Sequence, residues 1–325
     1  MEILRGAGQS DMIYSARKLL SGNLVAFPTE TVYGIGADAL NESAVDKIYR
    51  VKGRPSNHPL IIHLPSIEYL NLWTVNVPSY VMDLAHFFWP GPLTFVLQRS
   101  KLAKNFVTGG QDFVAIRVPN QPIAISLLTE FGLLGGLGIA APSANRFGKV
   151  SPTSADSVVN DLGNYLESED LLIDGGNCKI GIESTIIKCS SSFATILRPG
   201  AITKNQLRKV ANIFVSDDIS TNLIATPGLI HNHYAPKAKV VLNQIPQQGD
   251  GLIALYNIET PKGVIRLASP KNNNEYGYIL YDSFRKADNL GLQNIVAITP
   301  SNSGLGIAIN DRLKRAANSD EFFED

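Results

Sequence analysis

Charge is scarce in this sequence. Aspartate, glutamate, lysine and arginine make up 18% of its 325 residues, against about a quarter in ordinary globular chains. The two signs balance at 29 each, for a formal net charge of zero. No global field draws such a chain to nucleic acid or to a membrane surface, so any basic site has to be local. Cysteine is scarcer still. Cys178 and Cys189 are the only two, in no metal-ligand spacing, and they read as reduced thiols of an intracellular protein. The N-terminal MEILRGAGQSD lacks the apolar core of a signal peptide. The longest apolar run, FGLLGGLGIAAP, is too short and too glycine-rich to span a bilayer. A soluble, cytoplasmic protein with no membrane partner is expected. Several motifs are missing as well. No GxxxxGK[ST] occurs, which excludes a P-loop, and no GxSxG elbow is present. His231 and His233 form an HxH, but no cysteine or further histidine completes a zinc set. No protein-held metal is expected.

What is present suits two domains. The hydrophobic fraction of 44% is ample for a core, and the length exceeds one typical domain. Over residues 1–210, strand-like and helix-like segments alternate. NLVAF (23–27) is a short buried run. LNESAVDKIYRVKG is a helix that Asn41 caps, with Val45, Ile48 and Tyr49 as its apolar stripe and Gly53 and Pro55 as its stop. PLIIHL (59–64) and DFVAIRVP (112–119) read as strands, the second with Val114, Ile116 and Val118 on one face and Phe113, Ala115 and Arg117 on the other. Residues 153–156 start the helix SADSVVNDL, and Thr203 with Gln206 makes a capping box. LLIDGG, STIIKCS and ATILRPG are further short strands. The pattern predicts a mixed α/β domain around a sheet. Residues 211–238 lose periodicity, which marks either a linker or a functional lid anchored by His233, Tyr234 and Pro236. Over 239–325, four strand-like runs and two amphipathic helices fit a small second α/β domain.

Some segments carry chemistry. In VKGRPSNHPLIIHL, Lys52 and Arg54 sit where a helix hands over to a tight turn and an apolar strand. Charges there are often a solvated face, yet loops on a rigid scaffold are where ligand groups collect. GIGADA (34–39) matches a loose dinucleotide fingerprint. Its glycines do not follow the strand directly, and no acid stands about twenty residues on, so a dehydrogenase is not supported. PTETVYG crowds Thr29, Glu30, Thr31 and Tyr33 into one loop, as turn formers or as donors and acceptors for a small polar ligand. In AAPSAN, Ser143 and Asn145 follow a buried strand and suit a phosphate nest. His63 on an apolar run is more often a core residue. Arg117 and Arg198 lie in strands with few acids nearby in sequence, and a buried guanidinium demands an anion. A ligand carboxylate or phosphate is one way to supply it.

Together these stretches resemble the Sua5/YciO/YrdC family, in its two-domain Sua5 type. The matching segments are VAFPTETVYGIGADA, KIYRVKGRPSNHPLIIHL, WPGPLTFVL, VAIRVP, APSAN, IESTII and LRPGAIT, then PGLIHNHYAPKA, DSFRKADNLGLQNIVA and GLGIAINDRLKRAAN, which cover almost the whole chain. The family's KxR…SxN signature falls on Lys52, Arg54, Ser143 and Asn145. Departures are small, at Gly53 and at Ser56-Asn57-His58. The resemblance implies a YrdC-like twisted-sheet α/β domain, a linker and a small Rossmann-like domain. It implies threonylcarbamoyl-AMP synthase chemistry, in which L-threonine, bicarbonate (or CO2) and ATP give threonylcarbamoyl-adenylate and pyrophosphate. A downstream transferase complex then carries the threonylcarbamoyl group to adenosine 37 of tRNAs that read ANN codons. Mg2+ accompanies ATP, held mainly by its phosphates. By motif position, Lys52 and Arg54 carry catalysis and bind the triphosphate. Thr29, His63, Arg117 and Ser184 bind threonine. Ser56, Thr108, Ser143, Asn145, Ser151, Arg198 and Tyr234 hold the nucleotide. Two alternatives remain at this level. One is a protein that binds double-stranded RNA or tRNA on a basic concave surface, against which stand the zero net charge and the lack of aromatics among basic residues. The other is a carbamoyl-adenylate enzyme of the hydrogenase-maturation type, whose zinc-finger and acylphosphatase modules are absent.

Overall fold

In the computed structural model, which describes residues 1–6, 8–217 and 234–318, fifteen strands fall into two sheets. In chain order they are β1 (Glu2–Leu4), β2 (Val25–Phe27), β3 (Gly34–Asp38), β4 (Ile61–His63), β5 (Leu93–Gln98), β6 (Phe113–Arg117), β7 (Ile139–Ala140), β8 (Leu171–Ile173), β9 (Thr185–Cys189), β10 (Phe193–Arg198), β11 (Phe214–Ser216), β12 (Lys239–Leu242), β13 (Gly251–Ile253), β14 (Ile265–Ala268) and β15 (Asn294–Ala297). The first eleven form one sheet, ordered β1-β8-β2-β3-β7-β4-β6-β5-β9-β10-β11, and the last four form another, ordered β12-β15-β13-β14. Every pairing in the second sheet is parallel. That arrangement buries both faces under crossover helices, here Asn273–Asn289 and Gly306–Ala317.

Local punctuation acts where the residues direct it. The helix Glu42–Lys52 starts at Asn41, whose side chain accepts from the Ala44 amide, and stops at Gly53 in the left-handed conformation at φ +61°. Val45, Ile48 and Tyr49 are buried as one stripe. The helix Ala155–Leu162 takes Ser154 as its cap, which leaves Thr153 to donate to Asp282 of the second unit at 2.7 Å. GIGADA is not a phosphate loop. Gly34–Asp38 is β3 itself, antiparallel to β2. Glycine is required there for packing, since a Cβ on Gly36 would stand 2.7 Å from the Ile139 side chain and 2.8 Å from Phe27.

Both faces of the large sheet are covered. The alternation in DFVAIRVP divides Val114 and Ile116, in the main core, from Ala115, in a small cluster with Ile61, Val96, Ile186 and Leu197. That second face leads to the site. β4 and β6 are parallel neighbours with His63 opposite Arg117 and Ile61 opposite Ala115, so the imidazole and the guanidinium emerge together beyond the apolar patch.

The two units share a core. Val32, Val150 and Ile182 of the first pack with Tyr276, Tyr281 and Phe284 of the second. Gly181, at φ +82°, lets the backbones meet, since a Cβ there would lie 2.5 Å from the Gly277 carbonyl oxygen. Arg285 and Asp161 close the seam as an ion pair at 2.7 Å. Of the aperiodic segment, Phe214–Ser216 is strand β11. Residues 218–233, which carry most of the expected lid and its anchor His233, lie outside the described residues.

Candidate active site

A cavity opens where the ends of β4, β6 and β10 meet the loops after β2 and β7. It is lined by Thr29, Thr31, Tyr33, Arg54, Ile61, His63, Arg117, Ser143, Glu183, Ser184, Arg198 and Tyr234, among others. Eight residues expected from the sequence are therefore brought together: Thr29, Arg54, His63, Arg117, Ser143, Ser184, Arg198 and Tyr234.

The PTETVYG loop builds one wall. Thr29 accepts from the amides of Thr31 and Val32 and shares a 2.8 Å hydroxyl contact with Thr31. Thr31 in turn accepts from Arg117 Nη1 at 3.1 Å. Arg117 also donates through Nε to the Gly91 carbonyl. The anion that this buried arginine demands is Glu30, 2.7 Å from Nη2. The sequence hides it, because Glu30 is far off in the chain and the fold brings the two together. The contact is an ion pair without hydrogen-bond alignment, and neither Glu30 oxygen has a hydrogen-bond partner among the described residues. Beside it, His63 is 4% exposed. Burial and then the Arg117 cation push its imidazole down to about 3, so it is neutral through the physiological range and adds no charge to the wall. Its Nδ1 has no partner among the described residues, and the edge of Phe27 packs against the ring.

The KxR pair separates into different roles. Arg54 lines the cavity, donates to the carbonyls of His58 and Pro59, and stands over the Phe147 ring. Burial pushes it down to about 10. Lys52 stands behind the wall, where its ammonium donates to the carbonyls of Ser143 at 2.6 Å and Asn145 at 2.5 Å. Burial, and then the nearby Arg54 cation, hold Lys52 well below the ordinary lysine range. Asn145 donates to the carbonyls of Arg146 and Lys149, while its buried Oδ1 has no partner among the described residues. Lysine and asparagine thus shape the loop that presents Ser143. Ser56 is exposed, in a shallow groove with Asn57 and Asn105, and Thr108 lies buried near Arg99. Neither lines the cavity.

The opposite wall depends on the second unit. Ser184 meets Thr94 at 2.8 Å and accepts from Arg198 Nη2 at 3.2 Å. Next to it, Glu183 is the acid in the cavity lining. Glu183 accepts from Ser151 at 2.6 Å, from the Tyr281 hydroxyl at 3.0 Å and from Arg312 Nε at 2.8 Å. Burial works to raise this carboxyl, but the Arg312 and Arg198 cations outweigh it and hold it below the ordinary range. Tyr234, at φ +72° and buried, stacks on Tyr281 at 5.9 Å and lies under the Arg312 guanidinium at 5.0 Å. Ser151 therefore reaches the cavity through Glu183 rather than directly. Glu183 lies inside IESTII, but its partners Arg312 and Tyr281 are over ninety residues away in the chain, so periodicity gives no sign of the cluster.

Comparisons with known proteins bear on both units. The Sua5/YciO/YrdC family, described as "Telomere recombination", matches residues 17–200. A second family, "Threonylcarbamoyl-AMP synthase, C-terminal domain", matches residues 202–318. A threonylcarbamoyl-AMP synthase of Pyrococcus abyssi is 40% identical over 91% of this chain and 91% of its own. One of Bacillus subtilis is 38% identical over 93% and 92%. The crystal structure of P. abyssi Sua5 complexed with L-threonine superposes with a TM-score of 0.87 and 35% identity, covering 98% of this chain and 97% of the other.

Proposed function

This chain belongs to the Sua5/YciO/YrdC family in its two-domain form, and from that premise we propose that it is an L-threonylcarbamoyladenylate synthase. Threonine's amine and bicarbonate give an N-carboxylate and water. A carboxylate oxygen of this carbamate bonds to the α-phosphorus of ATP, the bond from that phosphorus to the bridging oxygen breaks, and pyrophosphate leaves with the electron pair. No protein nucleophile is required.

The observation that carries the reading is the set of three buried arginines, Arg54, Arg117 and Arg198, around one cavity in a chain of zero net charge. Arg117 and the neutral His63 form the threonine end, with Thr29 and Ser184. Arg117 takes the amino acid's carboxylate through its planar fork. Arg54 and Arg198 take the phosphates and stabilise the charge that builds on them during transfer, with Ser143 beside them and Lys52 and Asn145 fixing the loop from behind. Tyr234 covers the nucleotide side, toward the C-terminal end of a proposed lid over 211–238. Mg2+ enters with ATP. Glu183 already accepts from Ser151, Tyr281 and Arg312, so the ATP phosphates would be the main ligands of Mg2+. Ser56 and Thr108 complete the nucleotide set only as motif positions.

We assign residues 1–210 to catalysis, 211–238 to the linker and 239–325 to the second domain. The product serves a downstream threonylcarbamoyl transferase complex acting on adenosine 37 of ANN-reading tRNAs. The cytoplasm is the assigned location; no helix among the described residues is long and apolar enough to cross a membrane.

Substrate choice tests the reading. A site that hydrogen-bonds the threonine hydroxyl rejects valine by up to about 10⁴-fold, whereas an apolar pocket discriminates only about 100-fold. Pyrophosphate release with threonine is expected to exceed that with valine or serine. Equal turnover with either would refute the assignment.

A further inference from the structure

The acid in the cavity wall is neutralised from the other unit. Arg312, on the helix Gly306–Ala317, has no exposed surface. Its Nε donates to Glu183 at 2.8 Å, its Nη2 to the Pro199 carbonyl at 3.1 Å, and its Nη1 pairs with Asp311 at 2.6 Å. Its guanidinium plane also carries the Tyr234 ring. One side chain of the second unit therefore touches three pieces of the first unit's site: the carboxylate in its wall, the residue after Arg198, and the aromatic cover.

The charge of that wall matters for an anionic ligand. A triphosphate at the nucleotide end would meet Arg54 and Arg198, and Glu183 with them. An ionised carboxylate in a buried wall repels phosphate strongly when nothing cancels it, because the local dielectric is low. Ser151 and Tyr281 supply hydrogen bonds to Glu183 but no charge. Arg312 supplies the paired charge at 2.8 Å, with the Arg198 cation acting from farther off.

We infer that Arg312 is a positioning residue for nucleotide binding, acting as the counterion of Glu183 and as the support of Tyr234, so that the second domain completes the cavity of the first. This rests on the reading of the cavity as an ATP and threonine site. It also makes a directional claim: the second domain serves the nucleotide and not the amino acid, because threonine is a zwitterion of no net charge and the arginine at its end, Arg117, already has its counterion in Glu30 of the same unit.

The test is direct binding to the full chain, measured by calorimetry with ATP and Mg2+ and separately with L-threonine. Arg312→Met is expected to weaken ATP by about tenfold or more, equivalent to ~1.4 kcal/mol, while threonine affinity stays within about threefold, under half that energy. Adding Glu183→Gln to Arg312→Met removes the stranded charge and is expected to restore most of the ATP affinity. A purely structural role for Arg312 predicts no such recovery. Arg312→Met with unchanged ATP affinity, or a double variant as weak as the single one, overturns the inference. Should Arg312→Met fail to fold, Glu183→Gln alone decides. The counterion account expects ATP to bind at least as tightly as to wild type, and a tenfold loss overturns it. Wild-type protein that binds threonine but no ATP would overturn the reading of the cavity and the inference with it, whereas normal wild-type affinity with an insensitive Arg312→Met overturns the inference alone.

Discussion

Two buried arginine–carboxylate pairs face the same cavity from opposite walls, and they are built in opposite senses. At the proposed threonine end, Arg117 faces the cavity and its acid, Glu30, is paired with it 2.7 Å away. Both belong to the large sheet's own unit. At the proposed nucleotide end the acid, Glu183, faces the cavity, and its arginine, Arg312, comes from the second unit at 2.8 Å. Among the described residues Glu30 has no hydrogen-bond donor beyond the ion pair, whereas Glu183 also receives Ser151 and Tyr281. The amino-acid end is thus self-contained, and the nucleotide end depends on how the two domains are joined.

The sharpest way to break this contrast is to truncate each arginine. Arg117→Met strands Glu30, which has no other donor among the described residues, and breaking such a buried pair costs about 3–5 kcal/mol. Arg312→Met leaves Glu183 with two hydroxyl donors and is expected to cost less. Urea unfolding of both variants measures the difference, and a larger loss for Arg312→Met than for Arg117→Met would contradict the asymmetry.

The KxR pair offers the next effect. In the proposed assignment Arg54 meets the phosphates directly, so Arg54→Ala is expected to slow pyrophosphate release by roughly 10² to 10³, the cost of about 3–4 kcal/mol for one lost transition-state contact, with the fold intact. Lys52→Ala is expected to slow it too, but with a drop in unfolding stability, since the Ser143 and Asn145 carbonyls lose their donor. Near-normal turnover in both variants would reduce the pair to a structural role in the buried wall. A stable, slow Lys52→Ala would show instead that the ammonium leaves the loop for the substrate.

The last effect belongs to His63 and shows only as the pH is lowered. Its imidazole is held at about 3 by burial and by Arg117, against roughly 6.5 in an unfolded chain. Between those values the unfolded chain binds a proton that the native one does not. The contribution of His63 is therefore fully present above the unfolded value and is lost as the pH falls toward 3, at about 1.4 kcal/mol per pH unit. The stability of wild type relative to His63→Gln should fall as the pH is lowered from 7 to 4. A flat difference would mean that His63 is protonated in the folded protein.

How much of this is legible in the sequence follows from how far each feature reaches along the chain. The cap at Asn41, the stop at Gly53 and the strands around Ile61 and Val114 rest on neighbours a few residues away, and their pattern is plain. The parallel pairing of β4 with β6 explains why His63 and Arg117, both legible singly, belong to one site. Strand β3 is obscured because its glycines serve close packing against Ile139 and Phe27 while they imitate a dinucleotide loop. Arg117 looks starved of acid because Glu30 arrives through the fold. Arg312 lies 129 residues from Glu183 on an amphipathic helix, where it reads as an ordinary surface cation. Neither periodicity nor motif can place a side chain across a domain interface.

The most direct measurement is pyrophosphate release by the pure full-length protein with ATP and Mg2+, with L-threonine and bicarbonate each omitted in turn. The account predicts release only when both are present, together with a threonylcarbamoyl-AMP product that mass spectrometry identifies. Release at the same rate without threonine, or without bicarbonate and dissolved CO2, would contradict it.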